Sequence, residues 1–74
     1  MDKERFLKTI GAAIRSTRET IGMTQQSLAS KIGVSRAWVT IMESGRGNPS
    51  VSTLKAIAEA LGVDFIISGR NKED

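Results

Sequence analysis

The sequence predicts an all-α fold: a compact bundle of four to five helices, with a short β-strand near the C-terminal end. Three observations lead there. Apolar residues recur every three or four positions in four separate stretches, the spacing of one helical face. Thr24, Ser35 and Ser50 stand where helices would open, and Gly22, Gly33, Gly45 and Gly62 where they would close, the residue types that cap starts and stops. After Gly62 the period changes, and Val63, Phe65 and Ile67 fall on one face of an extended segment.

The first helix is expected from about Lys3 to Ile21. Its stripe is Phe6, Leu7, Ile10, Ile14 and Ile21, with Ala13 and Thr17 beside it and Gly22 as the stop. Thr24 has the oxygen of an N-cap and opens a second helix, Gln25–Lys31, whose inward residues are Leu28, Ala29 and Ile32. Gly33 ends that helix and Ser35 caps the next two residues later, so the two helices must meet at a sharp angle. The third helix is expected from Arg36 to about Glu43, with Gly45 as its stop and the turn-forming loop SGRGNP behind it. Ser50 caps a fourth helix, with Val51, Leu54, Ile57, Ala58 and Leu61 facing inward and Gly62 closing it. Residues 1–62 thus form one domain. Residues 63–74, the strand and a polar tail, form a separate segment expected to pair subunits.

The chain has 74 residues, 39% of them apolar, enough for one modest core. It has no cysteine and no histidine, which removes disulfides, thiolate metal sites and the commonest general base. No nucleophile–base pair stands out, so an enzyme is the least favoured class and neither metal nor cofactor is expected. No apolar run approaches the roughly 18–20 residues of a membrane helix. The N-terminus is charged from its second residue, unlike a signal peptide. A soluble cytoplasmic protein is expected. The net charge of +3 is uneven: +4 over residues 1–62 and −1 over the last twelve. A mildly basic body suits a phosphate-bearing partner.

The third helix divides cleanly into two faces. At about 100° per residue, Val39 and Met42 lie within about 60° of each other and define the side packed on the body. The opposite side is centred on Ala37, Thr40 and Ile41, with Arg36 at one margin and Trp38 at the other. Small and apolar side chains are odd on a purely solvated face. Base edges in a major groove give them a use: Arg can donate two hydrogen bonds to guanine, and Thr or Ile can meet a thymine methyl. Against this, a single exposed isoleucine is ordinary. Trp38 could stack on sugar-phosphate, but its place at the core margin favours packing.

Phosphate contacts are expected from helix starts and loops. The free N–H groups at Thr24–Gln25–Gln26 suit an anion, and Gln25 adds an amide donor. Ser44, Arg46 and Asn48 supply donors on the other side of the third helix. Arg18 and Glu43 each sit about 60° off their helix's apolar stripe. Both would be half-buried at the core edge, where an unpaired charge is costly, so they are expected to pair with each other as a structural ion pair rather than touch a partner.

Taken together, IRSTRETIGMTQQSLASKIGVSRAWVTIMESGRGNPSVSTLKAIAEALGV, from Ile10 to Val63, resembles the Cro/cI-type helix-turn-helix family, also called the XRE family. The features that carry the likeness are the Arg before Gly-x-Thr-Gln, Leu-Ala in the second helix, Gly-Val-Ser at the turn, Glu-x-Gly after the third helix, and Pro-Ser before a helix ending Ala-Leu-Gly-Val. The resemblance implies a lambda-repressor-like bundle whose third helix reads double-stranded DNA. It puts base reading on Arg36, Ala37, Thr40 and Ile41, phosphate contact on Gln25, Ser44 and Arg46, and the ion pair on Arg18 and Glu43. One departure is Ile41, where many members carry Lys or Gln; reading there would be by methyl contact or weak.

Some members of that family end in a strand that pairs with its copy in a second subunit, and these include antitoxins of toxin kinases. An isolated strand cannot satisfy its own backbone groups, so Val63, Phe65 and Ile67 are expected to form a dimer contact, the alternative being that they fold back on the helices. The function these readings favour is a transcriptional regulator: a repressor acting as a homodimer on an inverted repeat. The alternative is an antitoxin that represses its own operon and binds a toxin protein. A protein-interaction module that has lost DNA is disfavoured by Gln25, Arg36 and Arg46.

Overall fold

The computed structural model describes residues 2–64. Four helices follow in order: α1 (Lys3–Thr20), α2 (Gln25–Ile32), α3 (Arg36–Glu43) and α4 (Val51–Leu61). Among the described residues there is no strand, and the helix count settles at four. The expected strand, with Phe65 and Ile67, falls outside them. Val63 lies inside: it is half-buried against the core, and its N–H donates to Ala58 O at 3.0 Å, completing the end of α4.

The caps fall where side-chain chemistry puts them. Thr24 Oγ1 accepts from Ser27 N at 3.0 Å, Ser35 Oγ from Trp38 N at 3.0 Å, and Ser50 Oγ from Thr53 N at 3.1 Å. Asp2, not singled out from the sequence, does the same for α1 by accepting from Arg5 N at 2.8 Å. Each bond satisfies an N–H that the first helical turn leaves without a partner. Between α2 and α3, Gly33 takes φ +76°, a left-handed conformation open to a residue without Cβ. Val34 N then donates back to Ala29 O at 3.0 Å, and the chain reverses in three residues.

One core unites all four helices: Ile10 and Ile14 from α1, Leu28 and Ala29 from α2, Val39 and Met42 from α3, and Leu54, Ile57 and Leu61 from α4. Phe6, Met23, Ile32, Val34 and Trp38 pack at its margin. Two apolar positions expected inside are outside. Ile21 is 49% exposed and Val51 is 73% exposed. Both sit at helix ends, beyond the span where another helix packs opposite; the spacing that counted them continues past the neighbours that could cover them.

What the apolar pattern left out is a pair of glycine contacts that fix α3. A Cβ placed on Gly11 would come within 2.5 Å of Met42 O and 2.7 Å of Glu43 O. The α1 backbone therefore lies directly under the last turn of α3. Just beyond that turn, Gly45 has φ +85°, and a Cβ there would meet Lys8 Cγ at 2.6 Å and Lys8 Cα at 2.8 Å. The C-terminal end of α3 is thus clamped onto one turn of α1, and its remaining face points away from the body.

Candidate nucleic-acid interface

The face that points away carries Arg36, Ala37, Thr40 and Ile41, all exposed. Val39 and Met42 on the reverse side are each 1% exposed, so eight residues hold two faces that share no position. Trp38 is half-buried and packs on the core margin. Ile41, at 43% exposed, is an apolar side chain kept in water by the fold rather than stored in it.

Behind this face lies a buried polar centre. Arg18 Nε donates to Glu43 Oε2 at 2.7 Å and Nη2 to Glu43 Oε1 at 3.1 Å. Arg18 Nη1 donates to Met23 O at 2.8 Å. The two-pronged geometry matches a planar guanidinium to a carboxylate, and the Glu43 hydrogen bonds hold the Arg18 pKa above the usual arginine value against the opposing effect of burial. Glu43 Oε1 also accepts from Gln25 Nε2 at 3.1 Å. Gln25 Oε1 in turn accepts from the Thr40 hydroxyl at 3.2 Å, which lies equally close to Arg36 O, also at 3.2 Å. One carboxylate therefore joins α1, α2 and α3, and connects to the exposed face through Gln25.

On one side of α3, Arg15, Arg18, Thr24, Gln25, Gln26 and Arg36 line an open groove of about 570 Å³. Among the described residues no acidic side chain lines it, and the positive end of α2 opens into it. Arg15 was not among the residues singled out from the sequence. It pairs with Glu19 at 3.2 Å on the surface, and its spacing of three from Arg18 on one helix was the available signal. Gln26 Nε2 donates to Ser30 Oγ at 3.2 Å, and Gln25 has one amide N–H engaged by Glu43, leaving its second for another acceptor.

On the other side, Ser44 Oγ donates to Ile41 O at 2.6 Å and accepts from Arg46 Nε at 3.0 Å. That bond lays Arg46 along the end of α3. Asn48 is exposed two residues further on. The structure thus brings donors to two borders of the α3 face, with Gln25 and Gln26 along the groove and Ser44 and Arg46 at the C-terminal end of the helix, and leaves Asn48 exposed further along the loop. Val63 lies at the foot of α4, and Phe65 and Ile67 fall outside the described residues. Among the described residues no cluster of acidic side chains could hold a metal ion, and no helix is long and apolar enough to cross a membrane.

Comparison with known proteins agrees with this geometry. A helix-turn-helix family model matches residues 14–67. The immunity repressor protein of Bacillus phage phi105 is 44% identical over 55 residues, 74% of this chain but only 38% of that protein. An HTH-type transcriptional regulator of Methanothermobacter thermautotrophicus is 42% identical over 53 residues, covering 72% of this chain and 77% of the regulator. Among solved structures, the restriction-modification controller protein C.AhdI from Aeromonas hydrophila superposes with a TM-score of 0.80 at 30% identity, covering 86% of this chain and 93% of that one.

Proposed function

The chain belongs to the helix-turn-helix family, and from that premise we propose that it is a sequence-specific double-stranded DNA-binding transcriptional regulator, acting as a repressor. The observation that carries the reading is the α3 face. Four exposed residues suited to base edges lie between two sets of phosphate-type donors, on a helix whose reverse side is wholly core. In this reading Arg36 donates to guanine, Ala37 lets the helix axis approach, and Thr40 and Ile41 meet thymine methyls or base edges. Gln25, Gln26, Ser44, Arg46 and Asn48 hold the phosphates and set the register. Relatives whose names are immunity repressor and transcriptional regulator support the same role.

Two copies acting together follow from size. An eight-residue helix is about 12 Å long and spans about four base pairs, too few to single out an operator. A homodimer on an inverted repeat doubles the reading and places the half-sites about 34 Å apart. Val63, Phe65 and Ile67 are the residues proposed for the dimer contact. Repression then needs only occupancy of a promoter.

The test is selection of bound duplexes from a random pool at about 150 mM salt, paired with the mass of the protein in solution. Recovery of an inverted repeat by a dimer supports the proposal. Binding without sequence preference that disappears as salt rises would reduce the face to a phosphate-attracting surface.

A further inference from the structure

We infer that the buried Arg18–Glu43 pair fixes the polarity of the Thr40 hydroxyl, so that Thr40 can only accept a hydrogen bond from a base and therefore recognises an amino group, adenine N6 or cytosine N4, rather than a keto oxygen. The inference rests on the DNA-reading role proposed above for α3.

The polarity is set from the core outward. Glu43 receives two hydrogen bonds from the Arg18 guanidinium, and an ionised carboxylate in such a pair has no proton to give. The Gln25 amide at 3.1 Å from Glu43 Oε1 must therefore turn its NH₂ toward the carboxylate. That orientation leaves Gln25 Oε1, an acceptor, 3.2 Å from Thr40 Oγ1. The second neighbour of the hydroxyl, Arg36 O at 3.2 Å, is also an acceptor. A hydroxyl has one proton, and here both nearby groups compete for it while neither can supply one. What Thr40 shows outward is a lone pair and a methyl group.

A base edge facing this hydroxyl must then bring its own proton. Adenine N6 and cytosine N4 carry donors in the major groove, whereas thymine O4 and guanine O6 are acceptors. A keto oxygen set against Thr40 would leave two acceptors in contact without a proton between them, and the hydroxyl could turn toward it only by giving up Gln25 and Arg36 O together. The Thr40 methyl remains available to a neighbouring thymine methyl. Specificity at this position is thus dictated by a buried carboxylate that acts on the reading face through Gln25.

The experiment uses the full chain and the duplex that the wild type recovers from a random pool. Exocyclic groups are deleted one at a time: adenine replaced by purine, cytosine by 2-pyrimidinone, and the keto oxygens of thymine and guanine removed in the same way. At one position in each half-site, loss of an amino group should weaken the wild type about fivefold. Thr40→Val should be indifferent to that same deletion, and Thr40→Ser should keep the dependence, since it keeps the hydroxyl. If the dependence on Thr40 instead follows deletion of a keto oxygen, the hydroxyl donates and the inference is overturned. It is overturned equally if no deletion distinguishes Thr40→Val from wild type while the wild type still selects its operator. A wild type that selects no sequence at all removes the DNA-reading proposal itself, a different outcome from either.

Discussion

Gly11 and Met42 meet backbone to backbone: a Cβ on the first would stand 2.5 Å from the carbonyl oxygen of the second. Neither partner is a movable side-chain end, so any residue larger than glycine at position 11 must push α3 off α1. Gly11→Ala is expected to destabilise the fold by about 1–3 kcal/mol, in the range of overpacked cores, despite alanine's better helix propensity. A urea titration reads this directly; a neutral or stabilising result would mean that the two helices are not held at this separation in solution.

The Arg18–Glu43 pair is buried on both sides, at 7% and 9% exposure. Among the described residues, Arg18→Met leaves the Glu43 charge with only the Gln25 amide to satisfy it and should cost about 3–5 kcal/mol, whereas the double variant Arg18→Met with Glu43→Leu should recover much of that loss. The sign with pH is also set. A base whose folded pKa is raised contributes stability that is complete below its unfolded value and is lost only as pH climbs through the folded one. The gap in melting temperature between wild type and Arg18→Met should therefore hold steady from about neutral pH up to about pH 10.

Arg36 is exposed at the first turn of α3, where no core contact depends on it. Arg36→Ala should lower affinity for the selected operator by roughly 1–3 kcal/mol and relax the preference at one base pair, with the melting temperature unchanged. Equal losses on operator and random duplex would reassign Arg36 to the phosphate backbone.

Arg46 is expected to behave in the opposite way. Tied to Ser44 at the end of α3, it would contact phosphate, so Arg46→Gln should weaken binding uniformly across sequences. The slope of log affinity against log salt should shrink by about one. A changed sequence preference with an unchanged slope would place Arg46 at a base edge.

The four helices and the bounds of α3 were legible because caps announce themselves. Thr24, Ser35 and Ser50 each have an oxygen at the right place, and Gly33 and Gly62 supply the left-handed stops. The contact of Arg18 with Glu43 was legible from angle alone, since each stood at the edge of its own stripe. Ile21 and Val51 were misjudged because periodicity records residue type and not whether a neighbour extends far enough to cover it. Gly11 left no trace in an apolar pattern, since its contribution is the absence of a side chain. The links from Glu43 to Gln25 and from Gln25 to Thr40 span 18 and 15 residues, and polar partners at that separation follow no repeat.

The separation of α3 into two faces bears on how such a protein could acquire a new target. Arg36, Ala37 and Ile41 all lie outside the core cluster, so descendants could drift toward different operators at these positions without first gathering much spare stability. Thr40 is not free in the same sense. Its hydroxyl is wired through Gln25 to the charge that joins three helices, so reversing its polarity while threonine stays means rewiring the interior as well. Retargeting would therefore proceed easily at three positions and stall at the fourth.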